Sequence, residues 1–583
     1  MNTVEYLIKN LENIGINDFF GVPGDYNFNI LDAIQNNAGT NWIGCTNELN
    51  AGYAADGYAR QKGFGAIVTT FGVGELSAMN AIAGSYAENI PVIHIVGTPT
   101  TKTLSSKLAV HHTFAEPDQY CYLNAAKTVT KTTAFLNKDN AKIEIDRVLK
   151  TFIKERKPVY IAIPSDIATL EISNKKVDYD WISDSKTLTS VVEKIVDKIK
   201  KSEKPVIIAD TLIKRFNAKI EFREFIEASG IPVTNFLMGN DIINHDYNKY
   251  LGTYYSNKGN PVAKKYIDNT DCLISIGVIY GDTNSAGNDI PFDINSHIAI
   301  YGTYTYINGK RYDNVRMSDV LDRLSRHVTD KKITVEQPSI GYGKSTTTTD
   351  KMSVSYLFSR LQEYIKENDI IIADTGLISF GITQMKLPQN TTLHTQLQWC
   401  SIGWATPAAF GASIANPNSR IILITGDGAH QMTAVELGNM FKHNQKPIII
   451  VLNNNGYTIE RVLCNNPEKE FNNIVQIDYT KFARSFKGDL WSSKIETAED
   501  FDKALRITQI MNKLCYLEIC TEEMDIPEYL KKLFSDKSTK QVDNIEEVKQ
   551  NTEQPSNKEK LTLSQSDKKN YETHVHTSLK ELE

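Results

Sequence analysis

The run Ile421-Ile-Leu-Ile-Thr-Gly-Asp-Gly428 ends an apolar, strand-like segment on a carboxylate between two glycines. A second run, Pro447-Ile-Ile-Ile-Val-Leu-Asn-Asn-Asn-Gly456, ends on clustered amides. In a parallel βαβ unit both clusters fall at the carboxyl ends of adjacent strands, where open α/β sheets bind ligands. The Asp427 carboxylate, the Asn454 amide oxygen and the Gly456 carbonyl are all hard oxygen donors. They suit Mg²⁺ or Ca²⁺, and an ion held by so few protein ligands takes phosphate oxygens for the rest. The chemistry these residues suggest is therefore a metal-bridged diphosphate site. A Gly-Asp-Gly turn alone is common loop punctuation; the whole strand-turn-helix-strand-amide pattern is far more specific.

Other groups could move protons. Glu48, in Cys45-Thr-Asn-Glu-Leu-Asn50, stands at a strand-to-helix junction, where a carboxylate also simply favours a helix start. Asp25 lies in Gly21-Val-Pro-Gly-Asp-Tyr-Asn27, ordinary turn chemistry when taken alone. His111 and His112 follow a polar loop over residues 98–108; adjacent loop histidines are usually only solvated. Imidazoles and carboxylates near neutral pH are the usual general acids and bases. If these groups cluster, they titrate as a coupled set.

The elements that must position these residues alternate between strand-like and helical patterns, which argues for α/β layers. The first part of the chain repeats the logic of the last third. Ala66-Ile-Val-Thr-Thr70 runs into Phe71-Gly-Val-Gly74, a small-residue helix follows, and Pro91-Val-Ile-His-Ile-Val96 comes next. An Ala/Gly-rich helix precedes each unit, over residues 50–63 and 403–415. Two related domains paired face to face are the natural reading. A third unit between them has strands at 205–209, 272–276 and 297–301, bounded by polar linkers at 165–185 and 329–350. After Phe534 the composition turns to Lys, Glu, Ser, Asn, Gln and Thr. Such a tail buries too little apolar surface to offset its ordering entropy and reads as disordered.

Composition narrows the classes. A chain of 583 residues exceeds one ordinary domain. A net charge of −6 makes no electrostatic case for nucleic acid. The seven cysteines include no Cys-x-x-Cys pair, so reduced thiols in a cytoplasmic protein are expected. Val4, Leu7, Ile8, Leu11 and Ile14 share one helical face with Glu5 and Glu12 interspersed, which is not a signal peptide. No uncharged apolar run is long enough for a bilayer, so no membrane partner is expected.

Taken in order, Gly21-Val-Pro-Gly-Asp-Tyr-Asn27, Asn47-Glu-Leu-Asn50, Tyr86-Ala-Glu-Asn-Ile-Pro91, His111-His-Thr113, Gly426-Asp-Gly428 and Gly456-Tyr-Thr-Ile-Glu460 resemble the thiamine diphosphate-dependent 2-keto acid decarboxylases. That group contains the pyruvate, indolepyruvate, phenylpyruvate and branched-chain keto acid decarboxylases. The resemblance covers residues 1 to about 534. It implies a three-domain α/β enzyme with parallel-sheet pyrimidine-binding (1–175), middle (186–328) and diphosphate-binding (351–534) domains, leaving 535–583 as the tail.

The implied reaction is non-oxidative decarboxylation of a 2-keto acid to an aldehyde and CO₂, with thiamine diphosphate and Mg²⁺ as cofactors. The implied metal ligands are Asp427, Asn454 and Gly456. The implied cofactor contacts add Glu48 at N1′ of the aminopyrimidine, the Cys400 carbonyl at its 4′-amino group and Ile402 wedged between the two rings. Thr375, Gly426, Gly428, Ala429 and Ile459 complete that set. The acid–base residues carry over to Asp25, His111, His112 and Glu460, with Glu48 as the activating carboxylate. Expected walls of the substrate pocket are Thr283, Ser379, Ile459, Leu463, Leu533 and Phe534.

The departures concern substrate size and phosphate contacts. Ser379 and Thr283 stand where bulky aromatics can occur, and both would enlarge the pocket. Leu377 replaces a polar residue near the diphosphate, and Ala429 stands where some members have serine. The resemblance further implies a homodimer or homotetramer with cofactor sites shared between chains. An acetohydroxyacid synthase-type carboligase and a non-catalytic homologue are the alternatives. The His111-His112 pair argues against the first, and the intact Glu48, Asp427, Asn454 and Glu460 argue against the second.

Overall fold

Valine- and isoleucine-rich runs form three sheets, each drawing its strands from one stretch of the chain. This computed structural model describes residues 1–534 apart from 117, 119, 176 and 286–296. The tail expected over 535–583 lies outside the described residues.

The first sheet holds β1 (Asp18–Gly21), β2 (Asn41–Gly44), β3 (Gly65–Thr70), β4 (Val92–Thr98), β5 (Thr133–Phe135) and β6 (Val159–Pro164). All its pairings are parallel, in the order β2-β1-β3-β4-β6-β5. The second sheet holds β7 (Pro205–Ala209), β8 (Val233–Asn235), β9 (Tyr250–Thr253), β10 (Cys272–Ile276), β11 (Ile298–Ile300), β12 (Tyr304–Ile307) and β13 (Lys310–Asp313). It is parallel apart from an antiparallel edge, β11-β12-β13. Asn308 and Gly309, both at positive φ, turn that edge hairpin, as a tight two-residue turn requires.

The third sheet holds β14 (Ile370–Ala373), β15 (Thr392–His394), β16 (Ile421–Gly426), β17 (Ile448–Asn453), β18 (Leu490–Ile495) and β19 (Leu514–Cys520). Its order is β15-β14-β16-β17-β19-β18, again all parallel. Position for position this is the order of the first sheet, so the repeat read in the sequence extends to the topology. In each of these two sheets the strand order reverses beside its first strand, between β1 and β3 and between β14 and β16. Such switch points open a crevice at the strands' carboxyl ends.

The helices Glu48–Lys62 and Ala405–Ala415 hold the two like sheets together. Their Ala/Gly composition allows backbone contact. A Cβ on Gly57 would stand 2.1 Å from the Ala408 carbonyl oxygen, and one on Gly411 1.8 Å from that of Ala54. Trp404, fully buried, donates from Nε1 to Asp56 at 2.9 Å, and the Arg60 guanidinium lies 4.5 Å over its ring. Arg60 also donates to Asp56 at 2.6 Å. A buried charge needs such a partner, and the buried Glu88 carboxylate, 3.8 Å from the same guanidinium, is a second one.

Candidate functional site

Two clusters of chemistry-bearing residues form, one at each switch point. At the first, β1 runs into the Gly21–Asn27 loop. Gly24 lies so close to β3 that a Cβ would stand 2.6 Å from the Thr70 Cβ, and Gly97 approaches the Tyr26 carbonyl in the same way, at 2.2 Å. Asn27 caps the turn by accepting from Gly24 N at 3.1 Å. Asp25 then faces His111, with Oδ2 2.8 Å from Nε2. Tyr26 stacks on the His111 ring at 4.8 Å, and its hydroxyl lies 3.3 Å from Nδ1. The rings of His111 and His112 meet edge-on at 4.7 Å. His112 sits at φ +66°, a left-handed conformation that few non-glycine residues adopt.

Two contacts fix the histidine loop from below. Tyr122 donates its hydroxyl to the His112 carbonyl at 3.1 Å. Gly72, at φ +62°, lies so close that a Cβ would stand 1.9 Å from that same oxygen. Gly72 in turn donates its N–H to Glu75 at 2.8 Å, and Tyr160 donates to the other carboxylate oxygen at 2.7 Å. Burial pushes the Glu75 carboxyl up to about 7, against both of these hydrogen bonds. Glu48 opens the next helix, with Asn47 capping it by accepting from Asn50 N at 2.8 Å. A Cβ on Gly74 would stand 3.3 Å from Glu48 Oε1. Among the described residues, the Glu48 carboxylate has no hydrogen-bond partner.

At the second switch point β14 delivers Asp374, fully buried, and β16 delivers Asp427. Asp374 accepts from Thr375 N at 2.9 Å, from Gly403 N at 3.2 Å and from Thr425 Oγ1 at 3.1 Å. Burial pushes it up to about 6. It thereby ties the Gln398–Trp404 loop to the start of the Asp427 turn. In that loop Cys400 takes φ +57° and lies 3.2 Å from the Leu397 carbonyl, which also accepts from the Thr283 hydroxyl. Thr375 donates to the Gln396 carbonyl at 3.0 Å. Ile402 is half-buried.

Asp427, 2 % exposed, accepts from Gly428 N at 2.8 Å and from Gly456 N at 3.0 Å. Burial pushes its carboxyl up to about 6, opposed by these N–H groups and by those of Asn454 and Asn455. Such a ring of backbone donors fixes the carboxylate's direction. The Asn454 side chain is buried, and among the described residues its amide has no hydrogen-bond partner. The Gly456 carbonyl accepts from Thr458 N at 3.1 Å and keeps its second lone pair. A Cβ on Gly426 would meet nothing within 4 Å, so open space adjoins the carboxylate. A carboxylate, an unpartnered amide and a carbonyl beside that space fit a hard cation bridging to a diphosphate. Gly428 and Ala429 are buried directly behind them.

Ser379 is fully buried and donates to the Gly376 carbonyl at 3.0 Å. Gly376, at φ +114°, is also the neighbour of Ile459, whose Cγ2 would stand 3.8 Å from an added Cβ. Ile459, Glu460 and Leu463 share the short helix Thr458–Leu463, with Glu460 exposed. Leu533 is buried and its carbonyl accepts from Lys258 at 2.8 Å; Phe534, also buried, ends the described chain.

So Asp25, His111 and His112 meet in one place, and Asp427, Asn454 and Gly456 in another. Among the described residues no hydrogen bond or ion pair of one chain links Glu48, Asp25, His111 or His112 to Asp427, Asn454 or Glu460. Sequence reading missed Asp374 and Glu75. Both left signals: Asp374 is the first polar residue after an apolar strand, and Glu75 follows Gly72 at the spacing of a helix-capping carboxylate.

Three family models match the chain. The thiamine pyrophosphate enzyme N-terminal TPP binding domain covers residues 1–121, the central domain 192–317 and the C-terminal TPP binding domain 374–519. Pyruvate decarboxylase isozyme 2 of Saccharomyces cerevisiae is 33 % identical over 545 residues, 91 % of this chain and 97 % of the relative. The pyruvate decarboxylase of Kluyveromyces lactis is 32 % identical over 546 residues, 90 % of this chain and 96 % of the relative.

Proposed function

The chain belongs to the thiamine diphosphate-dependent 2-keto acid decarboxylases, and from that premise we propose which residues act and which 2-keto acids they serve. It is a carboxy-lyase that works with thiamine diphosphate and a divalent metal, typically Mg²⁺. When bound, thiamine diphosphate supplies the electron sink for the breaking carbon–carbon bond.

The chain's own residues bind, orient and move protons. Asp427, Asn454 and the Gly456 carbonyl would hold the metal, and the open space beside Gly426 would leave room for a diphosphate. Ile402 and the Cys400 carbonyl would orient the pyrimidine ring of the cofactor, and the Glu48 carboxylate would serve as the hydrogen-bond partner of that ring and tune its basicity. Once CO₂ has left, the former keto carbon takes a proton and the product's hydroxyl proton departs. Asp25, His111, His112 and Glu460 carry those transfers, which need donors and acceptors active near neutral pH. The observation that supports this reading best is the pair of unpartnered groups, the Glu48 carboxylate and the Asn454 amide, one at each switch point.

The repeated domains carry complementary motifs, and among the described residues no hydrogen bond or ion pair of one chain joins Glu48 to Asp427; we therefore propose, with the family's shared-site arrangement, a dimer or tetramer in which Glu48 of one chain meets Asp427 of another. Among the described residues no helix is long and apolar enough to cross a membrane. All seven cysteines are free thiols, in keeping with a cytoplasmic setting.

Ser379 and Thr283 are small where aromatic rings would shorten the pocket, with Ile459, Leu463 and Leu533 as its other walls. The substrates are therefore 2-keto acids larger than pyruvate, with phenyl, indolyl or branched alkyl groups. Steric exclusion outweighs the gain of about 1–3 kcal/mol per fitted methylene. Pyruvate is the second reading, favoured by the names of the relatives. Values of kcat/KM for pyruvate, 2-ketoisovalerate, phenylpyruvate and indolepyruvate decide between them. A preference for pyruvate over all three would overturn the size argument.

A further inference from the structure

Asp25, His111 and His112 each turn one ligand-type atom into the same small volume, all within 4.8 Å of one another. Two imidazoles and one carboxylate with open positions form a nitrogen-rich set, which suits Zn²⁺, Cu²⁺ or Ni²⁺ rather than Mg²⁺. The Asp427 site, with oxygen donors only, has the opposite preference. Two ligands on one tetrahedral zinc ion lie about 3.4 Å apart, given bonds of about 2.1 Å. The Asp25–His111 pair, at 2.8 Å, must open slightly to admit an ion, and His112 must close. The first two side chains are free to adjust, being 48 % and 57 % exposed.

One further observation points to a ligand here. His112 Nδ1 is buried and, among the described residues, has no hydrogen-bond partner, and a buried polar atom of that kind calls for something to satisfy it. The Tyr26 hydroxyl lies 3.3 Å from His111 Nδ1 while Nε2 faces Asp25. The Tyr26 ring, stacked on the imidazole at 4.8 Å with 9° between the planes, holds the ring so that Nε2 stays turned toward Asp25.

We infer that Asp25, His111 and His112 form a binding site for a borderline divalent cation such as Zn²⁺ or Cu²⁺, separate from the Mg²⁺ site. The functional consequence rests on the acid–base role proposed above. An occupied site ties up groups that move protons, so the ion acts as a reversible inhibitor.

The test uses full-length holoenzyme saturated with thiamine diphosphate and excess Mg²⁺. Zn²⁺ binding is followed by calorimetry and Cu²⁺ binding by electron paramagnetic resonance. The expected result is one ion per chain, with coupling to imidazole nitrogen in the Cu²⁺ spectrum. His111→Gln and His112→Gln should each weaken binding by more than tenfold, because each removes a ligand nitrogen. Turnover should fall with occupancy and return on chelation. No saturable Zn²⁺ binding in excess Mg²⁺, or binding unchanged in both histidine variants, would overturn the site. Binding that is lost in the variants yet leaves parent turnover untouched would keep the site and remove the acid–base role from this loop.

Discussion

Replacing Gly72 with alanine should cripple turnover while leaving cofactor binding intact. Gly72 sits at φ +62° and ψ −91°, a conformation that disfavours any side chain. Adopting it costs about 1–3 kcal/mol. The new Cβ would also stand 1.9 Å from the His112 carbonyl oxygen, so the histidine loop must retreat by roughly 1 Å or more to reach ordinary contact. A displacement of that size at a reacting group costs about 100-fold in rate. The fold should survive, since domains of this kind hold about 5–15 kcal/mol. The assay is steady-state kcat beside thiamine diphosphate retention and Tm. Gly15→Ala is the matched control, because Gly15 also has positive φ, +95°, but a Cβ there meets nothing within 4 Å. It should lose stability alone. A Gly72→Ala enzyme with parental kcat would refute the claim that this turn positions the proton-transfer loop.

Two further outcomes follow from the buried carboxyls. Asp427→Asn keeps the shape but removes the anionic ligand, so Mg²⁺-dependent retention of thiamine diphosphate should weaken by at least about tenfold, the loss of a charge-assisted contact. Retention equal to the parent's, read by tryptophan fluorescence, would remove Asp427 from the metal site. Glu75 is raised in the folded state from 4.5 to about 7, so the native protein binds that proton more tightly than the unfolded chain. Its contribution to stability is fully present below the unfolded value and is lost as pH rises through about 7; the window is worth about 3 kcal/mol. Asp210 and Asp374, raised to about 7 and about 6 by burial, act with the same sign. Glu75→Gln should therefore flatten, without abolishing, the fall in unfolding free energy between about pH 5 and about pH 8. An unchanged slope in urea titrations would show that Glu75 ionises freely in the native state.

Much of the fold and of the site is legible in the sequence. Apolar runs ending in Gly426-Asp-Gly428 and in Asn453-Asn-Asn-Gly456 announce parallel strands with ligands at their carboxyl ends. The structure carries β16 two residues further than its isoleucine run, through Gly426, because Thr425 and Gly426 still pair with β17. The helix expected over 50–63 starts at Glu48, since the Asn47 cap lies before the apolar pattern begins. Other features depend on contacts distant in the chain and carry no local pattern. Strand order is one: nothing in residues 133–135 or 490–495 says that these strands lie at a sheet edge beyond a later strand. The grip of Gly72 on His112 is another, as is Asp374 reaching Gly403 and Thr425. The polar stretch 329–350 reads as a linker, yet Tyr342 donates to the Gly381 carbonyl at 2.7 Å. Its aromatic ring, rather than its polarity, was the informative feature.

The central claim is that the activating and anchoring carboxylates meet only between chains, and subunit complementation tests it most directly. Glu48→Gln and Asp427→Ala chains are each expected to be inactive alone. In a mixed dimer with shared sites, one site collects both defects and the other has none. Random reassociation of equal amounts should thus restore about one quarter of parental turnover, from heterodimers carrying one intact site each. Aldehyde release from a 2-keto acid, in excess thiamine diphosphate and Mg²⁺, is the readout. Recovery near that fraction supports the shared site. No recovery, with heterodimers verified by mass spectrometry, would place both carboxylates in one chain's site and contradict the account.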